Sequence, residues 1–397
     1  MAKMKKRKDG RYQKNVYVGV DKNGKRKYKS VFGKTQAEVN QKADEIKLRV
    51  GKGMDVLNDN MTFGKLKTLW LTYKKPLLKE HQYKNYKNYL SHFAELDDKK
   101  ILKLVKSDFQ SVINALAEKN PTTGKPTAKK TLREIRAAAR QVFDFAIDNR
   151  ILDYNPLTYV DIPKDAPTEE RRALTEQEQY WVLTTEHRCQ LPAMIMMLAG
   201  LRLSECCGLQ WCDIDLKNKI INVHQKLIMK APAHIEQGAK SKAGIRKVDI
   251  PNVLVDFLNK QPAHEPQDYV IKSVKGNLMT DTAWRRLWNS YMADLNIKYG
   301  DFSAYEKRPK SKFDRNGVPF VIKRFTAHCL RHTCATNHFY AGHDLMYVQN
   351  QLGHSKPETT LNIYTHYVKT LQHKDSKVIS IDDFVKGIKK SQMKKKA

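Results

Sequence analysis

LGHSKPETTLNIYTH, residues 352–366, is the stretch whose reading decides the fold. It carries Tyr364. Two further blocks lie upstream: HCLRH at His328–His332 and GLRLSE at Gly200–Glu205. A tyrosine alone says nothing, and Leu361, Tyr364 and Val368 have the helical spacing of ordinary core residues. That reading leaves the other blocks unaccounted for. A tyrosine behind two arginines and two histidines, near the end of a chain of formal net charge +31, points to a nucleophile aimed at a phosphodiester.

Breaking a phosphodiester without water or metal makes three demands. A nucleophile must attack phosphorus, added negative charge on the phosphoryl oxygens must be neutralised, and the leaving 5′-oxygen must receive a proton. Tyrosine suits the first, because phenoxide leaves well enough to make the covalent step reversible. Arginines suit the second, since each guanidinium donates paired hydrogen bonds and keeps its charge. Lysine or histidine suits the third.

Composition agrees. Lysine and arginine number 73 against 42 acids, a field that draws in polyanions and gives salt-dependent affinity for nucleic acid. A basic surface that is merely solvated is the alternative. No stretch is long and apolar enough to span a membrane. The beginning, MAKMKKRKDGRY, lacks the apolar core of a secretory signal, so a cytoplasmic protein is expected. Cys189, Cys206, Cys207, Cys212, Cys329 and Cys334 show no framework spacing and are expected to be reduced. His328 and His332, four apart with Cys329 and Cys334 nearby, suggest a metal site, but the glutamate of HExxH is missing and no further ligand is spaced for zinc. Neither metal nor cofactor is expected.

The expected fold class is α+β and multidomain. Residues 1–60 read as a small basic ββ(β)α domain, with 17 lysines and arginines against 7 acids. Tyr12, Val16, Val18 and Val20 share the parity of a half-buried strand, Asp21 to Gly24 is a hairpin turn, and Lys27 to Phe32 is the second strand. Thr35 and Glu38 form a capping box for a helix carrying Val39, Ala43, Ile46 and Val50. Residues 61–165 read as an all-α four-helix domain. Its stripes are Phe63, Leu66, Trp70 and Tyr73; Tyr83, Tyr86, Leu90 and Phe93; Phe109, Val112, Ile113 and Leu116 behind a Ser107/Gln110 cap; and Leu132, Ile135, Val142 and Phe145 between about Thr127 and Asn149. The tyrosines at helical spacing read as core rather than a base-stacking platform. Lys129, Lys130, Arg133, Arg136 and Arg140 are placed to track a phosphate backbone. Pro156, Pro163 and Pro167 mark Asp153 to Glu170 as a linker. Residues 166–397 read as a mainly α domain with a small β-hairpin or sheet. Thr175 and Glu178 cap one helix, Pro192 to Ala199 forms an apolar helix broken at Gly200, and Leu203 to Leu209 starts another. Asp213 to His224 and Gly244 to Ile250 are strands, with a basic excursion at Lys226 to Ala243 between them. A charged insertion lies near Tyr299 to Lys323.

Together the blocks at 199–205, 328–333, 352–355 and 362–366 resemble the catalytic domain of the tyrosine recombinases, in the phage and mobile-element integrase branch. The order Arg, Lys, His-x-x-Arg, His, Tyr is the family order. The helical middle segment resembles the family's core-site DNA-binding domain, and the basic first segment its arm-site-binding domain. The resemblance implies that Arg202 and Arg331 clamp the scissile phosphate, that His328 assists proton transfer around the tyrosine, and that His354 bonds a phosphoryl oxygen. It implies that Tyr364 forms a 3′-phosphotyrosyl link and that Glu205 is the supporting acid. It puts the catalytic lysine on a β-hairpin, at Gly238 to Val248, where Lys240 fits the family spacing and Lys242, two residues on and on the same face of a regular strand, is the alternative.

By the same resemblance the partners are double-stranded DNA at core and arm sites, three further copies of the chain in a tetramer, and a small excisionase or directionality factor. The tail carries a helical stripe at Ile381, Phe384, Val385 and Ile388, which packs either on its own domain or, by the family's habit, on a neighbouring protomer. The implied function is site-specific recombination, the integration or excision of a mobile element. A type IB topoisomerase, with the same tyrosine chemistry but no synapsis, and a catalytically dead DNA-binding regulator are the competing readings.

Overall fold

The computed structural model describes residues 4–20, 25–54, 60–168, 172–238, 245–305, 308–314, 317–361, 363–364 and 380–394. The chain forms two compact units, Met1–Glu169 and Glu170–Ala397.

The first unit opens with an antiparallel pair, β1 (Tyr12–Val20) and β2 (Arg26–Gly33), covered by helix α1 (Gln36–Gly51). The pairing is regular from Tyr12↔Gly33 to Tyr17↔Tyr28 and resumes at Gly19↔Lys27, so Val18 is an extra residue on β1. This bulge corrects the expected alternation: Val16 is 3% exposed and Val20 is 58% exposed. Gly19, at φ +125°, is the residue that can follow it. Thr35 Oγ1 accepts the Glu38 N–H at 3.2 Å, but the Glu38 carboxylate takes the Lys34 N–H at 2.8 Å. The reciprocal arm of the capping box therefore lands one residue early. Val16, Val31 and Ala43, with Ile46 beside them, form a small core of their own. The expected turn at residues 21–24 lies outside the described residues.

Four helices complete this unit: α2 (Phe63–Lys74), α3 (Glu80–Ser91), α4 (Lys106–Glu118) and α5 (Lys129–Asp148). Their core is aromatic. Phe63 stacks on Phe143 at 5.3 Å, and Phe109 meets Phe143 edge-on at 5.4 Å. Phe143, not the expected Phe145, is the buried phenylalanine of α5, and Tyr73 is 52% exposed. Tyr86 and Tyr89 of α3 lie on its seam with α5, where Tyr89 donates to Glu134 at 2.7 Å. The expected Ser107/Gln110 cap is corrected too. The helix starts two residues earlier, and Asp108 accepts the Val105 N–H at 3.0 Å. Gln110 instead exchanges two bonds with the backbone of Asp161. Residues 153–168 are not an open linker: Leu157 and Val160 are each 1% exposed within the bundle core, and Arg136 holds the Val160 carbonyl at 2.7 Å.

The second unit begins with a complete capping box between Thr175 and Glu178, at 3.2 and 2.9 Å, on α6 (Glu176–Thr184). Helix α7 (Gln190–Leu198) is buried nearly all round, and α8 (Leu203–Cys206) is a single turn, shorter than expected. Strands β3 (Ile214–Asp215), β4 (Ile220–Val223), β5 (Gln225–Ile228), β6 (His234–Gln237) and β7 (Arg246–Asp249) follow. β4 pairs with β3 and β7, and β5 with β6, all antiparallel. The described part of the expected basic excursion, residues 226–238, is thus largely a β-hairpin of β5 and β6. β4 and β5 run outward on either side of His224, and β6 and β7 return. Helices α9 (Asn252–Asn259), α10 (Asp281–Tyr299), α11 (Ala327–Tyr340) and α12 (Leu345–Leu352) come next. The insertion between α10 and α11 is anchored by Lys312 on Asp294 at 2.8 Å and by Asn296, which donates to the Pro319 carbonyl at 2.9 Å. The last helix, α13 (Ile381–Lys394), packs on its own unit. Val385 and Ile388 enter the main core, and the Asp382 carboxylate accepts the Asn252 and Val253 N–H groups, capping α9.

Candidate active site

Three arginines from three elements meet at the C-terminal turn of α12. Gly353 ends that helix in the left-handed region, at φ +64°, which leaves the last carbonyls without helical partners. Each is taken by a guanidinium. Arg246 Nε donates to the Gln351 carbonyl at 3.0 Å, Arg331 Nη2 to Leu352 at 2.5 Å, and Arg202 Nη2 to Gly353 at 2.7 Å. The negative end of the helix dipole favours cations at this place.

The three are positioned differently. Arg331 projects from α11, is 3% exposed, and also donates to the Gly200 carbonyl at 2.5 Å. Gly200 sits at φ +72°, and a Cβ there would lie 2.6 Å from Leu352 Cδ2 and 2.9 Å from Cys334 Sγ. Only glycine fits this close approach. The break it makes after α7 leaves Arg202 as the residue that opens α8. The side chain of Arg202 is 40% exposed and bonds Glu205 at 2.6 Å. Arg246, at the start of β7, is 7% exposed in its side chain and reaches Glu205 Oε2 at 2.9 Å. One buried carboxylate therefore lies between two arginines.

The electrostatics follow from burial and crowding. Burial alone raises the pKa of Glu205, but the bond from Arg246 and the charges of Arg246 and Arg202 hold it at about 2. Burial, and then Arg202, pushes Arg331 down to about 9, so it remains cationic at neutral pH. His354 follows Gly353 and shares a 2.8 Å hydrogen bond between its Nδ1 and Thr360 Oγ1. Burial first, then Arg331 and Arg202, takes its pKa down to about 3, so its imidazole is neutral at neutral pH.

His328 is exposed in the first turn of α11, three residues before Arg331, and its charge is among those acting on His354. Tyr364 is 40% exposed, and its ring meets Phe339 of α11 edge-on at 5.2 Å. The preceding Ile363 is buried with Cys334, Phe339, Val348 and Leu352, a cluster that includes the last residue of α12. Lys240 and Lys242 lie outside the described residues. Most of the hairpin expected at Gly238 to Val248, residues 239–244, lies outside the described residues too. Of the rest, Arg246 to Val248 pair with β4. The sequence reading gave Arg246 no role, and it missed Thr360 and the α12 carbonyls. Among the described residues no group of three or more His, Cys, Asp and Glu is placed to hold a metal.

The fold and this arginine-rich site define a class, and the comparisons agree on it. The chain belongs to the phage integrase family, whose pattern matches residues 168–370, and is a tyrosine-type site-specific recombinase. It is similar to a tyrosine recombinase XerC-like protein of Caldanaerobacter subterraneus subsp. tengcongensis, 28% identical over 386 residues, covering 90% of this chain and 92% of the relative. Its fold is similar to that of the Tn1549 transposon integrase solved in complex with transposon right end DNA. There the TM-score is 0.58 at 20% identity, over 79% of this chain and 99% of that one. A lambda integrase tetramer bound to a Holliday junction aligns with a TM-score of 0.51 at 17% identity, over 89% and 96% of the two chains. Among the described residues no helix is long and apolar enough to cross a membrane.

Proposed function

We propose that this chain integrates or excises a mobile element by cutting and rejoining double-stranded DNA through a 3′-phosphotyrosyl link at Tyr364. The phenolic oxygen of Tyr364 attacks the scissile phosphorus, the bond to the 5′-oxygen breaks, and that oxygen leaves with a proton. A 5′-hydroxyl from another strand then reverses the step. Arg202 and Arg331 neutralise the phosphoryl oxygens, His354 donates to one of them, and His328 assists proton transfer around the tyrosine. Lys240 protonates the leaving oxygen, with Lys242 as the alternative donor. The observation that carries this reading is the meeting of Arg202 and Arg331 on the adjoining carbonyls of Leu352 and Gly353, one residue from His354. Each of these two arginines directs two bonds into this scaffold and has five N–H donors in all, so donors remain for a phosphate.

Residues 166–397 are the catalytic domain, 61–165 the core-site reader and 1–60 the arm-site reader. Support for the last comes from the separate core of β1, β2 and α1, and from the exposed Tyr17 and Tyr28 among basic residues. The chain acts in the cytoplasm as a tetramer on DNA, with a small directionality factor deciding between integration and excision.

The test is Tyr364→Phe on a nicked suicide duplex carrying the element end that flanks the gene. Covalent adduct disappears while DNA binding persists; adduct from the variant overturns the assignment. Relaxation of a plasmid without any such site would instead favour the topoisomerase reading.

A further inference from the structure

Two arginines share Glu205: Arg202, whose side chain is 40% exposed, and Arg246, whose side chain is 7% exposed. We propose that Arg246 is a positioning residue for strand transfer: by engaging Glu205 and the Gln351 carbonyl, it leaves the cluster around Arg202 net positive toward the scissile phosphate and fixes Arg202 in place. This rests on the reading of Arg202 as a phosphate-binding residue.

The argument begins with charge. Glu205 accepts from the Arg202 backbone at 2.9 Å and from its guanidinium at 2.6 Å. Alone, that pair is neutral, and a neutral pair has little to offer a phosphodiester that gains negative charge as it reacts. Arg246 donates to both oxygens of the same carboxylate, at 3.3 and 2.9 Å. The three groups together then carry one net positive charge, and Arg202 is the member whose side chain reaches solvent, 40% exposed against 7% for Arg246.

The geometry points the same way. All three guanidinium nitrogens of Arg246 are directed inward, to Glu205 and to Gln351, so it acts through its neighbours. Its strand is stitched to α12 by a reciprocal pair. The Gln351 side chain accepts the Asp249 N–H at 3.1 Å and donates to the Asp249 carbonyl at 2.7 Å, and Tyr347 bonds the Asp249 carboxylate at 2.9 Å. The carbonyl that holds Arg202 belongs to Gly353, two residues beyond Gln351. Arg246 thus fixes both partners of Arg202, its carboxylate and its carbonyl. It is also the first residue of the strand that follows the lysine-bearing segment, so the returning arm of the hairpin and the arginine clamp share one anchor.

A buried ion pair with no part in the reaction is the competing explanation, and the experiment separates the two. Full-length wild type, Arg246→Gln, Arg246→Lys and the Glu205→Gln/Arg246→Gln double variant are compared on the suicide duplex at saturating protein. Single-turnover cleavage, DNA affinity by gel shift and the melting temperature are all measured. Arg246→Gln is expected to slow cleavage on the order of 10²-fold, the scale of a misplaced or uncharged transition-state contact, with affinity within about 3-fold. Arg246→Lys keeps the charge and stays within about 10-fold of wild type. The double variant restores the net charge and cleaves faster than Arg246→Gln. Cleavage by Arg246→Gln within about 3-fold of wild type, equal slowing in the lysine and glutamine variants, or a double variant no faster than the single overturns the proposal. Should Arg246→Gln fail to fold, the lysine variant decides: a fall in affinity with no change in cleavage rate sinks the idea. Tyr364→Phe is run beside them. Adduct from that variant removes the underlying reading, whereas its absence together with indifferent Arg246 variants removes this proposal alone.

Discussion

The two units hold their positive charge in opposite ways. In the second, Arg202, Arg246 and Arg331 are tied to carbonyls and to one carboxylate, and two of the three side chains are almost wholly buried. In the first, Lys130, Arg133 and Arg140 on α5, and Arg26 and Lys27 on β2, stand exposed. A buried guanidinium has one geometry and a large cost if it loses its partners. An exposed cation has many geometries, and each contributes little alone. The first kind suits a reaction centre, where placement within a fraction of an ångström matters. The second suits attraction to a polyanion, where only the summed field counts.

The harshest way to break this contrast is Arg331→Lys. A lysine keeps the charge but cannot bridge the Gly200 and Leu352 carbonyls as a fork, and adduct formation should fall on the order of 10²- to 10³-fold with little change in DNA affinity. Single-turnover cleavage and gel shift read the two effects separately, and parallel losses would erase the distinction between fixed and mobile charge.

Gly200→Ala attacks the same place from the packing side. The added methyl meets Leu352 and Cys334 and strains a φ of +72°, so the second unit should lose about 2–4 kcal/mol of stability, read by denaturant melts. An alanine variant as stable as wild type would mean the turn can relax.

His338 sharpens the contrast with a pH axis. Both its ring nitrogens are buried and have no hydrogen-bond partner among the described residues, beside His343 and Tyr347, and burial takes its pKa from 6.5 to about 3. The folded value lies below the unfolded one, so the ring must be neutral to fold. Its contribution is complete above pH 6.5 and is lost as the pH falls toward 3. Between pH 7 and 5, wild type should lose about 2 kcal/mol more than His338→Phe. Melts of the two proteins that run parallel across that range would refute it.

The mildest intervention is on the mobile charge. Removing residues 1–60 should weaken binding to outlying sites more than to the crossover site and make the salt dependence shallower. Equal loss at both sites would mean the first sixty residues are no separate reader of DNA.

Local chemistry was legible in the sequence where it stays local. Thr175 and Glu178 announce their helix by spacing, and the reciprocal bonds are there. The four motif blocks lead to the family. Illegible features depended on the backbone or on distance. The bulge at Val18 leaves no mark in a pattern of alternating residues. The prolines at 156 and 163 suggested an open linker because they interrupt helices, but the apolar residues between them still bury themselves. The basic character of Lys226 to Ala243 hid a hairpin whose Leu227 is 1% exposed. Both partners of Arg331 are main-chain carbonyls, and so is one partner of Arg246, 105 residues away in sequence; a carbonyl is the same whatever side chain it carries.

That last point sets a rule for change at the end of α12. Three successive carbonyls, at 351, 352 and 353, are each gripped by an arginine from a different element. A helix turns about 100° per residue, so inserting or deleting one residue here would swing every carbonyl away from its grip at once. The side chains just beyond, Ser355 and Lys356, are exposed, so substitutions there are expected to leave these grips in place. The stretch is therefore a ruler: open to respelling, closed to any change of length.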